Sequence, residues 1–215
     1  MAHGHIYYKN ISVGAGRVYQ YSKKEIFVLA RLKNKKKIVW DRVKYDFQYI
    51  SLNKIINQIP CWQLRKKVYE KMGMTIGKGA RIGIGTVILN PVGIKIGDRS
   101  VINENCMLDG RGGLAIGHDT SISSYTKILT ASHMCESQNF DYCEQKTRIR
   151  NYVWIGTAAL ILNGSDIKDY AVVGAGAVLK GKAEERDIMI GNPARCIRKR
   201  KVTERYQLRY KAYFR

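Results

Sequence analysis

The sequence predicts a mainly β chain built as a parallel β-helix, and three observations predict it. The first is a six-residue beat of aliphatic residues: Ile76, Ile82, Ile88, Ile96, Ile102, Leu108, Ile116, Ile122 and Ile128, resuming at Ile149, Ile155, Ile161, Ile167 and Val173. The second is a small or slim residue four places after each opener, from Ala80, Thr86 and Val92 through Ser100, Cys106, Gly112, Thr120, Thr126 and Ser132 to Val153, Ala159, Ser165, Ala171 and Ala177. The third is the recurrence at 20-residue spacing of Thr75-Ile76-Gly77, Lys95-Ile96-Gly97 and Ala115-Ile116-Gly117, each preceded by Gly73, Gly93 or Gly113. A six-residue unit is one short strand and a turn, too small to bury its own apolar face, so coils must stack and share a core. Three units make a triangular coil of 18 residues, and the 20-residue spacing places two extra residues at one corner of each early coil, where Gly eases the turn.

The elements follow in order. Residues 1–72 form a basic, mostly helical N-terminal segment, within which 1–20 have no clear pattern. Ser22 is positioned to cap a helix over 23–33. Val43, Phe47, Ile50, Leu52, Ile55, Ile56 and Ile59 make a helical stripe within 41–58. Pro60 opens a further helix through Trp62, Leu64, Val68 and Tyr69 that stops at Gly73. These helices are expected to cap the open end of the solenoid, which needs covering. Their amphipathic, basic character also suits a membrane surface. The β-helix spans 73–181, broken by a polar loop at 134–148 that is expected to project from one face. Residues 182–215 are basic, and Tyr206, Leu208, Tyr210, Tyr213 and Phe214 among basic residues predict a short C-terminal helix over 202–215.

Composition narrows the function. The net charge is +21. It falls as +12 on residues 1–72 (16 basic, 4 acidic), +2 on 73–180 (11 and 9) and +7 on 181–215 (11 and 4). The solenoid is nearly neutral and its ends are basic, which points to an anionic partner: cofactor phosphates, an acidic glycan or a membrane surface. No aromatic RNA-binding motif or recognition helix accompanies the charge, so a nucleic-acid partner is not expected. No apolar run is long enough to span a bilayer, and the start carries no signal-peptide stretch, so a cytoplasmic chain is expected, peripheral to the inner face of the membrane if the basic ends dock there. The five cysteines have no metal-ligand spacing and read as reduced thiols, with Cys106 in a packing position.

Few residues carry reactive groups. His118 sits at a turn position of the beat, and His133 stands immediately before the projecting loop. A lone histidine is usually structural, but one at the lip of an insertion suits a general base. Read from spacing alone, both roles for His133 stay open.

The chain then resembles a known family. Thr130-Ala131-Ser132-His133, a loop, Tyr152-Val153-Trp154-Ile155-Gly156, Val173-Gly174-Ala175-Gly176-Ala177-Val178 and Gly191-Asn192-Pro193-Ala194-Arg195 resemble, in order, the motif string of the hexapeptide acyltransferases. The similarity covers about 73–201 and is greatest to sugar O-acetyltransferases of the galactoside, maltose and capsule or exopolysaccharide type. It implies a left-handed coil, against the usual right-handed crossover, and a homotrimer with each site between subunits. It implies acetyl-CoA as co-substrate, no metal, and a sugar or glycan acceptor, possibly acidic or lipid-linked. His133 would take the proton from an acceptor hydroxyl and return it to the departing thiolate. Asn103 matches a polar acceptor contact. Asp109 and Arg111 lie near an acidic acceptor contact of the family, with Arg at the matching position, which would suit an acidic sugar. Phe140 and Tyr142 on the loop would reach the acceptor. Trp154 would flank the pantetheine arm, with Thr157, Gly174 and Ala175 lining its groove. Lys180, Arg195 and Arg198 would meet the phosphates, although Lys180-Gly181 stands where the family has threonine-lysine. N-acetylation of an amino sugar or an antibiotic on the same scaffold is the alternative. A non-enzymatic scaffold is a third possibility. A carbonic-anhydrase-like centre would need three converging histidines, and the coils carry two.

Overall fold

The computed structural model of the protein describes residues 11–13, 16–18, 35–202 and 204–210. The helix expected over 23–33 lies outside these. Three parallel sheets form the walls of the solenoid. The first face stacks Thr75–Ile76, Ile94–Ile96, Leu114–Ile116, Thr147–Ile149, Asp166–Ile167 and Lys182–Ala183. The second stacks Arg81–Ile82, Val101–Ile102, Ser121–Ile122, Trp154–Ile155, Val172–Val173 and Asp187–Gly191, ending on an antiparallel strand, Ala194–Lys199. The third stacks Val87–Leu89, Met107–Asp109, Lys127–Ile128, Leu160–Ile161 and Val178–Leu179.

The beat positions align coil on coil. Ile82 pairs with Ile102, Ile102 with Ile122, Ile122 with Ile155, and Ile155 with Val173. These side chains, with Ile88, Leu108, Ile128 and Ile161, are wholly or almost wholly buried and form one continuous core. Between the first and second faces every coil turns through a left-handed residue: Gly79, Arg99, Asp119, Tyr152, Tyr170 and Arg186. Such a conformation costs a non-glycine residue about 1 kcal/mol or more. The stack offsets it, since each amide from Arg99 upward donates to the coil below, as in Asp119 to Asp98 at 2.9 Å and Tyr170 to Asn151 at 3.0 Å.

The third-to-first corner holds the extra residues. Asn90 leads into a 3-10 turn, Pro91–Gly93, and Gly93 packs so closely on the Gly110 carbonyl that a Cβ on it would collide. Here the small-residue rule fails. Eleven of the fourteen positions are buried, while Val92 is exposed and Gly112 and Ser132 are half-exposed. All three lie on this widened corner, where the chain swings outward.

A helix α1 (Lys35–Ile50), a π turn (Ser51–Ile55), a 3-10 turn (Ile56–Gln58) and a helix α2 (Trp62–Lys71) precede the first coil. Polar side chains satisfy the open coil end. Asn53 exchanges two hydrogen bonds with the Ile88 backbone at 2.7 and 2.9 Å, and the buried Arg65 donates to the Ile82 carbonyl at 2.7 Å. Leu52, Trp62 and Tyr69 join the core. Of the expected stripe, Leu52 is buried and Ile56 and Ile59 are half-buried, while Val43, Phe47, Ile50 and Ile55 are exposed; among the described side chains of α1, Tyr45 and Gln48 are half-buried.

The short C-terminal helix expected over 202–215 is not formed in its described part, since residues 204–210 run without helix along the first-to-second corner. Tyr206 donates its hydroxyl to the Tyr152 carbonyl at 2.9 Å, the Leu208 amide donates to Asp119 at 2.9 Å, and Arg81 lies over the Tyr210 ring. Tyr206, Leu208 and Tyr210 are two residues apart, the spacing of an extended chain laying alternate residues on one surface.

Candidate active site

After Thr130 the chain leaves the solenoid as a β-hairpin. Ala131–His133 pairs antiparallel with Tyr142–Glu144, with His133 opposite Tyr142. The tip is organised by Ser137, whose hydroxyl accepts the amides of Asn139 and Asp141 and donates to the Asp141 carboxylate at 2.6 Å. Phe140 takes a left-handed conformation that turns it back onto His133. The hairpin base is fixed by Asp109, whose carboxylate accepts the Thr130 amide at 3.0 Å while its carbonyl accepts the Thr130 hydroxyl at 3.0 Å.

His133 is held on two sides and open on the others. Its ring stacks on Phe140 at 3.9 Å between centroids and meets the Tyr142 ring edge-on at 5.6 Å. Its Nδ1 lies 3.0 Å from the Phe140 carbonyl oxygen. A carbonyl can only accept, so Nδ1 carries the proton, and in the neutral ring Nε2 keeps its lone pair. The imidazole is exposed. An oriented, solvent-facing Nε2 can take a proton from a hydroxyl placed against it.

The neighbouring groups form an ion-pair cluster. Arg111 grips Asp109 with two nitrogens at 2.9 and 3.0 Å, and its amide bonds the same carboxylate. Asp109 is wholly buried and its oxygens are occupied, so it does not reach a ligand; it positions Arg111 and the hairpin. The hydrogen bond to Asp109 raises the Arg111 pKa and keeps the guanidinium charged. With Asp109 beside it, that charge is locally balanced, which removes the simple reading of Arg111 as a bare anion receptor. Tyr142 donates its hydroxyl to Glu144 at 2.9 Å. Burial, and then that bond, push its pKa up, so the phenol stays protonated.

A second group of expected residues lies on another edge. Trp154 projects from the second face, half-exposed, its indole N–H donating to Ser123 at 3.2 Å. Asn103 occupies the same second-to-third corner, bonding the Ile122 carbonyl at 3.1 Å. Thr157 and Ala175 are exposed on that corner, joined through the Gly176 amide donating to the Thr157 carbonyl at 2.8 Å, with Gly174 partly covered by Ile190. By register Ser121, Trp154, Val172, Ile188 and Arg198 form one lateral row, and Arg195 pairs with Ile190. Arg195 and Arg198 are exposed. This band offers a flat aromatic ring, small residues and cationic groups, which fit an extended thioester arm ending in phosphates. Lys180 is exposed on the third-to-first corner and joins neither Trp154 nor the Arg195–Arg198 strand.

One chain therefore assembles two half-sites: His133, Phe140, Tyr142 and Arg111 on one edge, and Asn103, Trp154, Thr157, Gly174 and Ala175 on another. Sequence reading missed Tyr45, Glu144 and Ser123. Tyr45, from α1, lies within electrostatic reach of Asp109 and Arg111 and lines a cleft with Gln48, Leu89, Asn90 and Pro91. No local signal marks it, because its role follows from where α1 docks. Among the described residues no cluster of three potential metal ligands occurs, and no helix is long and apolar enough to cross a membrane.

No protein-family profile matches the chain. It is 30% identical over 143 residues to the putative colanic acid biosynthesis acetyltransferase WcaF of Escherichia coli, covering 66% of this chain and 79% of that protein. Among solved structures it is similar to a hexapeptide-repeat acetyltransferase of Vibrio cholerae, with a TM-score of 0.66 and 28% identity, covering 71% of this chain and 88% of that one. A structure of that acetyltransferase complexed with acetyl-CoA superposes with a TM-score of 0.65 at 24% identity, covering 77% of this chain and 90% of that one, and speaks for the fold alone.

Proposed function

The chain belongs to the hexapeptide-repeat acetyltransferases, and from that premise we propose that it transfers the acetyl group of acetyl-CoA to a hydroxyl of a sugar or glycan, with His133 as the general base. Its solenoid is the left-handed parallel β-helix of that family. The observation that carries the reading is the contact of His133 Nδ1 with the Phe140 carbonyl at 3.0 Å, which leaves Nε2 as the free base on an exposed, stacked ring.

Acetyl-CoA supplies the activated carbonyl. Nε2 of His133 takes the proton of the acceptor hydroxyl as its oxygen forms the new C–O bond. As the C–S bond breaks, the imidazolium returns that proton to sulfur, so His133 ends neutral and the products are an acetyl ester and a free thiol. Trp154, Thr157, Gly174 and Ala175 support the acyl donor's arm, and Arg195 and Arg198 face its phosphates. Arg111 and Asn103 keep N–H groups for acceptor oxygens, and Tyr142, whose hydroxyl hydrogen is committed to Glu144, offers its ring and an oxygen that can accept. Because the half-sites lie on different edges of one prism, a neighbouring copy is required to bring a Trp154 band against a His133 hairpin, as in a homotrimer.

The test is incubation with acetyl-CoA and a panel of neutral sugars, acidic sugars and amino sugars, followed by product mass and alkali treatment. The reading expects an acetylated product whose acetyl group is released by mild alkali. Alkali-stable amides, formed only from amino sugars, would contradict O-transfer.

A further inference from the structure

Helix α1 is amphipathic the wrong way round. Among its described side chains Tyr45 and Gln48 are half-buried, leading into the buried Leu52 and Asn53. Five large apolar residues among its described side chains face solvent: Val39 is 54% exposed, Trp40 63%, Val43 50%, Phe47 71% and Ile50 50%. At about 100° per residue these five fall within one stripe about 100° wide. The exposed Arg42 and Lys44 flank it on opposite sides, and the helix opens on Lys35-Lys36-Lys37 in sequence. One exposed acidic residue, Asp46, lies near the stripe. Contiguous exposed apolar groups of this size mark a contact surface.

We infer that the outer face of α1 is a docking surface for an anionic lipid bilayer, entered by Trp40, Phe47 and the aliphatic residues, with Arg42 and Lys44 reaching the headgroups. Charge selects this occupant. The helix sequence carries five basic and two acidic residues, and residues 1–72 carry a net +12, so a second copy of the same face is repelled while an anionic surface is attracted. An apolar stripe edged by cations is the pattern of a helix lying in the membrane interface, its basic stems extending to the headgroups. The opposite side of the helix carries Tyr45, which lies within electrostatic reach of Arg111 and Asp109. Docking would therefore hold the bilayer one helix diameter from the acceptor edge, a placement suited to an acceptor presented at a membrane.

The experiment is co-sedimentation of the full chain with phosphatidylcholine vesicles, with and without phosphatidylglycerol. The expected result is binding to the anionic vesicles, weakened by salt, with Trp40 fluorescence quenched by bromine-labelled lipid and the quenching reduced in Trp40→Phe. Phe47→Ser should weaken partitioning about tenfold or more. The pair Arg42→Glu and Lys44→Glu should do the same, at about fivefold per basic group removed. Both variants alter exposed side chains and should keep the unfolding temperature, and Lys127→Glu on the solenoid should bind as the parent does. A parent chain left in the supernatant, equal binding to neutral vesicles, or undiminished binding by Phe47→Ser would overturn the inference. So would a change in oligomer mass in Phe47→Ser with no vesicle binding by the parent, which would assign the stripe to a contact between copies. Sedimentation needs neither acetyl-CoA nor an acceptor, so its outcome is independent of the acetyl transfer proposed above.

Discussion

At the scale of single residues, the chemistry turns on which groups are free and which are spent. His133 spends one nitrogen on the Phe140 carbonyl and keeps the other. Asp109 spends both oxygens, on Arg111, the Arg111 amide and the Thr130 amide. Replacing Asp109 by Ala would leave a half-buried guanidinium and a buried amide without partners, at a cost of about 3 kcal/mol. The expected outcome is a lower unfolding temperature together with a raised acceptor KM, because Arg111 and the hairpin base lose their anchor; an unchanged melting curve would contradict it. His133 was legible in sequence as the residue before a break in the beat. The inertness of Asp109 was not, because its burial follows from a hydrogen bond to Thr130, 21 positions away. The Tyr142–Glu144 contact is local, two residues apart on one strand and so on one face, and strand periodicity across the loop would have signalled it.

At the scale of elements, the aliphatic beat and the corner residues act differently. The openers carry the core, and their role follows directly from period, so the walls could be read with correct register from sequence. Truncating the wholly buried Ile122 to Ala should cost about 2–5 kcal/mol, read as a shift in denaturant midpoint, since the coils above and below, through Ile102 and Ile155, restrict collapse around the cavity. The corners were less legible. The widened third corner exposes Val92 because the chain detours through Asn90–Gly93, and nothing in the six-residue rule distinguishes a detour from a turn. The composition of the C-terminal segment suggests a helix, yet Tyr206, Leu208 and Tyr210 alternate with polar residues and lie along the solenoid. Its anchor is Asp119. Burial alone would raise the pKa of this carboxyl; bonds from Arg99, His118 and the Leu208 amide outweigh it and bring it down to about 2. A folded value below the ordinary carboxyl value of 3.8 contributes stability that is complete above about pH 4 and is lost as pH falls towards 2. Amide exchange at Leu208 should therefore accelerate across that acid window before the core strands open. Uniform exchange across the coils and the segment would rule this out.

At the scale of the whole molecule, the solenoid works as a spacer. It sets the His133 hairpin on one edge and the Trp154 band on another, and the proposed transfer needs both. Transfer between the two edges thus requires assembly, and assembly allows complementation. Mixed oligomers of His133→Ala and Trp154→Ala chains, refolded together, should regain part of the activity that each lacks alone, because some interfaces pair an intact hairpin with an intact groove. Absence of recovery in demonstrably mixed oligomers would place both halves of the site in one subunit. The polarity of the molecule follows the same logic. The coils are nearly neutral, while the excess positive charge lies at the two ends, with Arg195 and Arg198 exposed at one and Arg42 and Lys44 exposed on α1 at the other.

The proposed role of His133 as the base is tested most directly by measuring acetyl transfer by His133→Ala alongside calorimetric titration with CoA. The account predicts a loss of turnover of about 10²–10⁴-fold with CoA affinity and unfolding temperature retained. Full turnover in a folded, CoA-binding His133→Ala protein would contradict it.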